Sequence, residues 1–359
     1  MDARYSPAGR ALPNRLADEL TGFLDGQVEL LSEMSADLGS LADAARAAVL
    51  DGGKRLRPTF AYWGWRTAQP EGADGEDDLV RAAASLELLQ ACALVHDDVM
   101  DGSDTRRGRP AAHVRFAAEH ARAGWPGSPT GFGTAAAILL GDLLLSWAGQ
   151  LFTTGIQSLP AARAAGAERQ FDLMRTEVVA GQFLDVLAQT RGQFDPDEAL
   201  RVIRYKTSKY TIVRPLLLGA AAAGASAGMQ AELARYGDLL GEAFQLRDDL
   251  LGVFGDPAET GKPAGDDLRE GKRTLLVALA MSGGDTGVRR LLQECVGNPE
   301  LSEAEVEELR SALGPAARQV EHRITARAAD AVGCLSDAVG PEAQRALVEL
   351  ADAAAHRRF

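Results

Sequence analysis

Apolar residues recur three and four positions apart through most of this chain, and no run alternates strictly between apolar and polar. That period puts the apolar side chains on one stripe of a helix and argues against a sheet. Alanine is abundant and only 6% of residues are aromatic, a composition suited to closely packed helices. With 359 residues, 46% of them hydrophobic, there is ample material for a packed core. The pattern predicts helices over roughly 14–34, 38–51, 57–68, 78–100, 109–123, 133–153, 160–188, 195–227, 230–253, 270–281, 286–296, 302–312, 316–338 and 341–357, with a break near Pro215. Gly- and Pro-rich loops fall at 68–77, 124–133 and 255–267, and none is long or polar enough for an interdomain linker. The expectation is one all-α domain over residues 1–359, with 1–13 outside its ordered body.

The formal net charge of −13 disfavours nucleic acid as a partner, because phosphate contacts need a basic surface. Yet small basic clusters stand at 52–58 (GGKRLRP), 106–109 (RRGR) and 206–209 (KTSK). In an acidic chain they suggest pockets for a small anionic ligand. Cys92, Cys295 and Cys334 have no CxxC spacing and read as core-filling thiols. No segment offers eighteen consecutive apolar residues, and MDARYSPAGRALPNRL lacks the apolar core of a signal peptide. A cytoplasmic protein with no transmembrane segment is expected.

Residues 96–109 read HDDVMDGSDTRRGR, with Asp97, Asp98 and Asp101 closing an apolar helical stretch ahead of Arg106 and Arg107. Like charges four apart on a helix destabilise it, and a buried carboxylate cluster needs a cation. A second pair, Asp248 and Asp249, closes another apolar stretch within GEAFQLRDDLLGVFGD. Two such helix ends facing each other would gather at least four carboxylates. Magnesium suits that arrangement, being held through one or two carboxylates with substrate phosphates and water. The adjacent arginines and lysines would take the diphosphate oxygens the metal leaves. Alone, DDVMD reads as a solvated helix end and GGKRLRP as a turn; together they point to a site.

HDDVMDGSDTRRGRP, with GGKRLRP upstream and FQLRDDLLGVFGD downstream, resembles the trans-isoprenyl diphosphate synthases, or polyprenyl synthetases, over about residues 50–275. The likeness is to those that make geranylgeranyl diphosphate. It implies an all-α bundle around a central cavity, with facing aspartate motifs and a homodimer. It also implies head-to-tail condensation of isopentenyl diphosphate with an allylic diphosphate (dimethylallyl, geranyl or farnesyl). By position, Asp97, Asp98, Asp101, Asp248 and Asp249 would hold three magnesium ions. Lys54, Arg57, Gln90 and Arg107 match the isopentenyl site. Arg106, Lys206, Thr207, Gln245 and Lys262 match the allylic site, and Lys272 matches a further lysine. Carbonyls near Lys206 and Thr207, with the Gln245 oxygen, would stabilise the allylic cation. Gln182 and Asp185 match residues near the cavity, and His96 reads as a structural hydrogen-bonding residue.

The pattern fails at one place, since the second motif usually ends in aspartate and here has Gly252. Asp256 would compensate only if the chain turned sharply at Gly252 or Gly255. Product length should depend on Leu89, Cys92 and Ala93, with Leu89 two helical turns, about 11 Å, below Asp97. Short-product members of the family tend to carry aromatic residues four or five before the motif; here both are small, and the resemblance therefore implies no fifteen-carbon stop and permits twenty carbons or more. A shorter or longer product is one alternative. A class I terpene cyclase would be expected to have an Asn/Asp, Ser/Thr, Glu triad and an aromatic cavity, and a noncatalytic subunit would be expected to lack a motif. A di-iron bundle is disfavoured because no Glu-x-x-His pair occurs.

Overall fold

The computed structural model of the chain describes residues 7–192, 194–256 and 265–356. All regular structure in them is helical apart from one two-residue hairpin, so the fold is all-α as the apolar period predicts. Contacts group the chain into two compact units: one runs to Tyr62 and includes Gln69–Ala165, and the other comprises Trp63–Ala68 and the chain from Gly166 onward.

The first unit holds α1 (Pro7–Met34), α2 (Gly39–Leu50), the start of α3 (Leu56–Arg66), α4 (Glu76–Met100), a hairpin of β1 (Thr105–Arg106) and β2 (Arg109–Pro110), α5 (Ala112–Ala123) and α6 (Pro129–Ile156). α4 lies along α6, with α1, α2 and α5 also packed on it. Helix α1 begins at Pro7, earlier than its sequence suggests, and runs through Pro13. Leu12, Leu16, Leu20 and Leu24 form one buried stripe at a spacing of four, and burying the whole stripe outweighs the cost of Pro13 inside the helix. The close approach of α4 and α6 requires glycine, because a Cβ on Gly155 would lie 2.4 Å from the Ala82 nitrogen. By length and hydropathy alone α4 and α6 are each long and apolar enough to cross a membrane. Most of α4 is buried, which accounts for its apolar character.

The second unit contains most of α7 (Ala161–Arg191), then α8 (Pro196–Val202), a π-helical segment (Ile203–Val213), α9 (Arg214–Ala223), α10 (Ala227–Phe254), α11 (Asp266–Arg269), α12 (Leu275–Gly283), α13 (Thr286–Cys295), α14 (Glu303–Gly333) and α15 (Pro341–His356). α10 is central, packed by the π-helical segment, α9, α14 and α15. The expected break near Pro215 is absent: α8, the π-helical segment and α9 follow without interruption, and Pro215 sits in the first turn of α9. The wider π register ends where proline has no N–H to place. Pro315 likewise lies inside α14, which joins the predicted 302–312 and 316–338 helices. Leu313, Ala316 and Val320 are buried on either side of it, so packing holds the helix through the proline.

Candidate active site

In the first unit α4 ends on its acidic motif. Gly102, at φ +66°, turns the chain; Asp101 N–H donates to the Asp97 carbonyl (2.8 Å) and Ser103 N–H to the Asp98 carbonyl (3.0 Å). This glycine cap satisfies the last carbonyls and fixes the three aspartates. Asp98 is buried and Asp97 half-buried. Arg106 Nε donates to Asp98 Oδ1 at 2.8 Å, its Nη2 reaches the same oxygen, and Asp97 lies 4.0 Å away. Burial pushes the Asp98 carboxyl above its ordinary range, against the pull of Arg106.

The hairpin after the motif pairs Thr105 with Pro110 and Arg106 with Arg109. Its turn residues, Arg107 and Gly108, both have positive φ, as a two-residue type I′ turn requires. Among the described residues the only non-glycine residues in that region are Arg55 (φ +50°) and Arg107 (φ +53°). Both lie in the basic motifs, and strained backbone is characteristic of functional loops. Arg107 donates to the carbonyls of Asp51 (2.8 Å) and Gly52 (3.1 Å), joining RRGR to GGKRLRP. Arg55 is anchored by Glu87 and by the Val49 carbonyl (2.9 Å), whereas Lys54 is exposed and Arg57 half-buried.

A cavity of about 970 Å³ opens beside these groups, lined by Asp98, Arg106, Arg107, Arg109 and Arg115 among others. Arg109 is paired with Asp51. Arginines outnumber the lining acids, so the cavity favours an anion. Lys54, Arg57 and Gln90 are not among its lining residues. Along α4, Gln90 and Ala93 are half-buried, while Leu89 and Cys92 are buried. Burial lifts the Cys92 thiol to about 12, and its sulfur lies 3.8 Å from His96 Nδ1. His96 Nε2 meets the Ile138 carbonyl at 3.1 Å, the structural part expected of it. A Cβ on Gly141 would lie 2.0 Å from that nitrogen.

The second unit carries the other predicted residues. Lys206 and Thr207 lie in the π-helical segment, where Arg214 N–H donates five residues back to the Lys209 carbonyl. Lys206 Nζ donates to Asp185 at 2.6 Å. Thr207 donates to Gln245 Oε1 (2.6 Å) and Gln245 Nε2 to Asp249 (2.7 Å), a relay from the π-helical segment to the second acidic pair. Lys209 instead pairs with Asp238. Asp248 is exposed and Asp249 buried. Burial raises the Asp249 carboxyl to about 8; Gln245 opposes this, and Asp267 and Asp248 add to it. Lys272 binds Asp267 (2.8 Å) and Glu270 (2.7 Å). Burial alone would lower its ammonium, but those two carboxylates carry it well above the ordinary lysine value. Lys262 lies outside the described residues.

Among the described residues no three His, Cys, Asp or Glu side chains converge into a preformed metal cage. Magnesium needs none, since phosphates and water complete its shell. Asp98 and Asp249 are buried carboxylates and therefore hard oxygen donors, the ligand type that ion takes, so the donor set fits it. Asp185, Asp267 and the Asp51–Arg109 pair were given no firm part by sequence. Asp185 carried a motif signal; the other contacts are tertiary.

The sequence model of the family described as Polyprenyl synthetase matches residues 39–313. The chain is 34% identical over 280 residues to a geranylgeranyl diphosphate synthase of Mycobacterium tuberculosis, covering 76% of this chain and 73% of that one. It is 32% identical over 285 residues to a geranylfarnesyl diphosphate synthase of Aeropyrum pernix, covering 79% and 82%. Among solved structures, it matches a geranylgeranyl pyrophosphate synthase of Corynebacterium glutamicum, complexed with isoprenyl diphosphate and magnesium. The TM-score is 0.91 at 39% identity, over 97% of this chain and 99% of that chain.

Proposed function

The chain belongs to the polyprenyl synthetase family of trans-prenyltransferases, and from that premise we propose that it condenses isopentenyl diphosphate with an allylic diphosphate to give geranylgeranyl diphosphate. The observation that carries this reading is that Asp98, at the acidic end of α4, lines an arginine-rich cavity of about 970 Å³. Asp97, Asp98, Asp101, Asp248 and Asp249 would hold three magnesium ions. Bound magnesium supplies charge neutralisation and Lewis acidity to the departing diphosphate. Arg106 and Lys206 add fixed cations, each oriented by a carboxylate, Asp98 and Asp185. Such preorganised charge acts most strongly where negative charge develops on the leaving group. Lys54, Arg57, Gln90 and Arg107 are assigned to isopentenyl diphosphate. Gln245, held between Thr207 and Asp249, presents a fixed amide dipole that stabilises a nearby cation without attacking it.

Labelled isopentenyl diphosphate with dimethylallyl, geranyl or farnesyl diphosphate and magnesium tests the reading. A twenty-carbon product is expected; no elongation from any starter would sink it. Cys92→Phe or Ala93→Phe is expected to move the main product from twenty carbons to fifteen. Ile138 and Leu139 of α6 are 44% and 63% exposed, and exposed apolar faces mark protein contacts. We assign this face to a second copy. Light scattering should then read a dimer and Leu139→Glu a monomer; a monomeric parent at micromolar concentration overturns the assignment.

A further inference from the structure

The second acidic motif has glycine where a carboxylate would complete it, and the structure places a carboxylate there from another element. An ideal Cβ on Gly252 would lie 1.9 Å from Asp267 Oδ2 and 2.4 Å from its Cγ. The Asp267 carboxyl therefore occupies the volume a side chain at 252 would fill. Position 252 is four residues beyond Asp248 and three beyond Asp249, so it is a one-turn neighbour of each on α10. Asp256 does not take this place: α10 runs through Gly252, Gly255 leaves it in an extended conformation (φ −63°, ψ 151°), and Asp256 is exposed.

Asp267 is buried and fixed. Lys272 donates to it twice, from Nζ to Oδ1 (2.8 Å) and from its backbone N–H to the Asp267 carbonyl (3.0 Å). Its charge is felt at Asp249, whose carboxyl it helps to raise. Lys272 also reaches Glu270 (2.7 Å), so one ammonium is shared between two carboxylates. Glycine at 252 is what admits Asp267; any larger side chain would displace it.

We propose that Asp267, delivered by α11 into the gap at Gly252, is the third carboxylate of the second aspartate motif and sets its affinity for a divalent cation carrying diphosphate. It rests on the prenyl-transfer reading but is tested apart from turnover. The probe is Mn²⁺ binding, followed by electron paramagnetic resonance, to the full chain with inorganic diphosphate present, alongside the Tm without metal. Asp267→Asn keeps the shape and removes the charge; it is expected to weaken Mn²⁺ binding about tenfold. Gly252→Asp alone is expected to lower the Tm, because two carboxylates would compete for one volume. Gly252→Asp with Asp267→Gly moves the carboxylate onto α10 and is expected to restore Mn²⁺ affinity to within about threefold of the parent. Parent-like binding by Asp267→Asn, or a double variant no tighter than Asp267→Asn, overturns the proposal. A parent that binds Mn²⁺ as expected yet elongates no starter would instead overturn the prenyl-transfer reading.

Discussion

Gly181→Ala is expected to lower kcat/KM about a hundredfold and to destabilise the fold by about 1–3 kcal/mol. A Cβ at this α7 position would lie 2.3 Å from the Lys206 nitrogen and 2.7 Å from its Cα. Those are backbone atoms, so no rotamer relieves the contact. In α10, a Cβ on Gly241 would meet the Ser208 Cα at 2.5 Å. The π-helical backbone is thus gripped by two helices at Lys206 and Ser208, and it moves if either glycine gains a methyl. Lys206 would shift relative to Asp185, and Thr207 relative to Gln245, by a large fraction of an ångström. Catalysis by positioned charge is sensitive to displacement on that scale. Gly22→Ala in α1 is the control, because nothing lies within 4 Å of its Cβ position. There the gain in helix propensity should leave the Tm unchanged or slightly raised. Steady-state kinetics and thermal melts of the two variants decide the matter. Parent-like kcat/KM in Gly181→Ala would remove the π-helical segment from the catalytic account.

The features legible in the sequence are those set by short spacings. The helical period gives an all-α chain, and aspartates and arginines a few residues apart mark both acidic motifs. Proline was the commonest source of error. A break is expected near Pro215, yet Pro215, like Pro13 and Pro315, lies within continuous helical chain, where neighbours such as Leu12 and Val320 are buried. Strands of two residues are too short to show a period, so the hairpin around Arg107 and Gly108 left no trace beyond its glycine. Nor does GGKRLRP reveal which of its cations is consumed structurally. Arg55, for one, is bound to Glu87 some thirty residues on. Gly252 is the instructive case. It read as the loss of a carboxylate, and it is a vacancy that Asp267 fills.

Asp98→Asn is expected to lower kcat about a thousandfold, equivalent to roughly 4 kcal/mol of transition-state stabilisation. Asparagine preserves shape and one acceptor but not the charge that a hard cation requires. The substitution also acts on Arg106. In the parent, Nε and Nη2 of Arg106 both point at Asp98 Oδ1, and that charge-assisted contact competes with any anion for the guanidinium. Neutralising Asp98 weakens the competitor. Two opposite shifts should follow in calorimetric titrations with inorganic diphosphate. Without magnesium, the variant should bind several-fold more tightly than the parent, because Arg106 is released. With magnesium, it should bind more weakly, because a cation ligand is gone. A residue that merely supported the fold would weaken both titrations together. Arg106→Lys separates the two effects from the other side, since lysine keeps the charge but presents a single point donor in place of the fork. It should weaken diphosphate binding without magnesium while leaving the magnesium dependence itself intact. If Asp98→Asn changes both titrations in the same direction, Asp98 is a structural partner of Arg106, and the metal reading of the first motif rests on Asp97 and Asp101 alone.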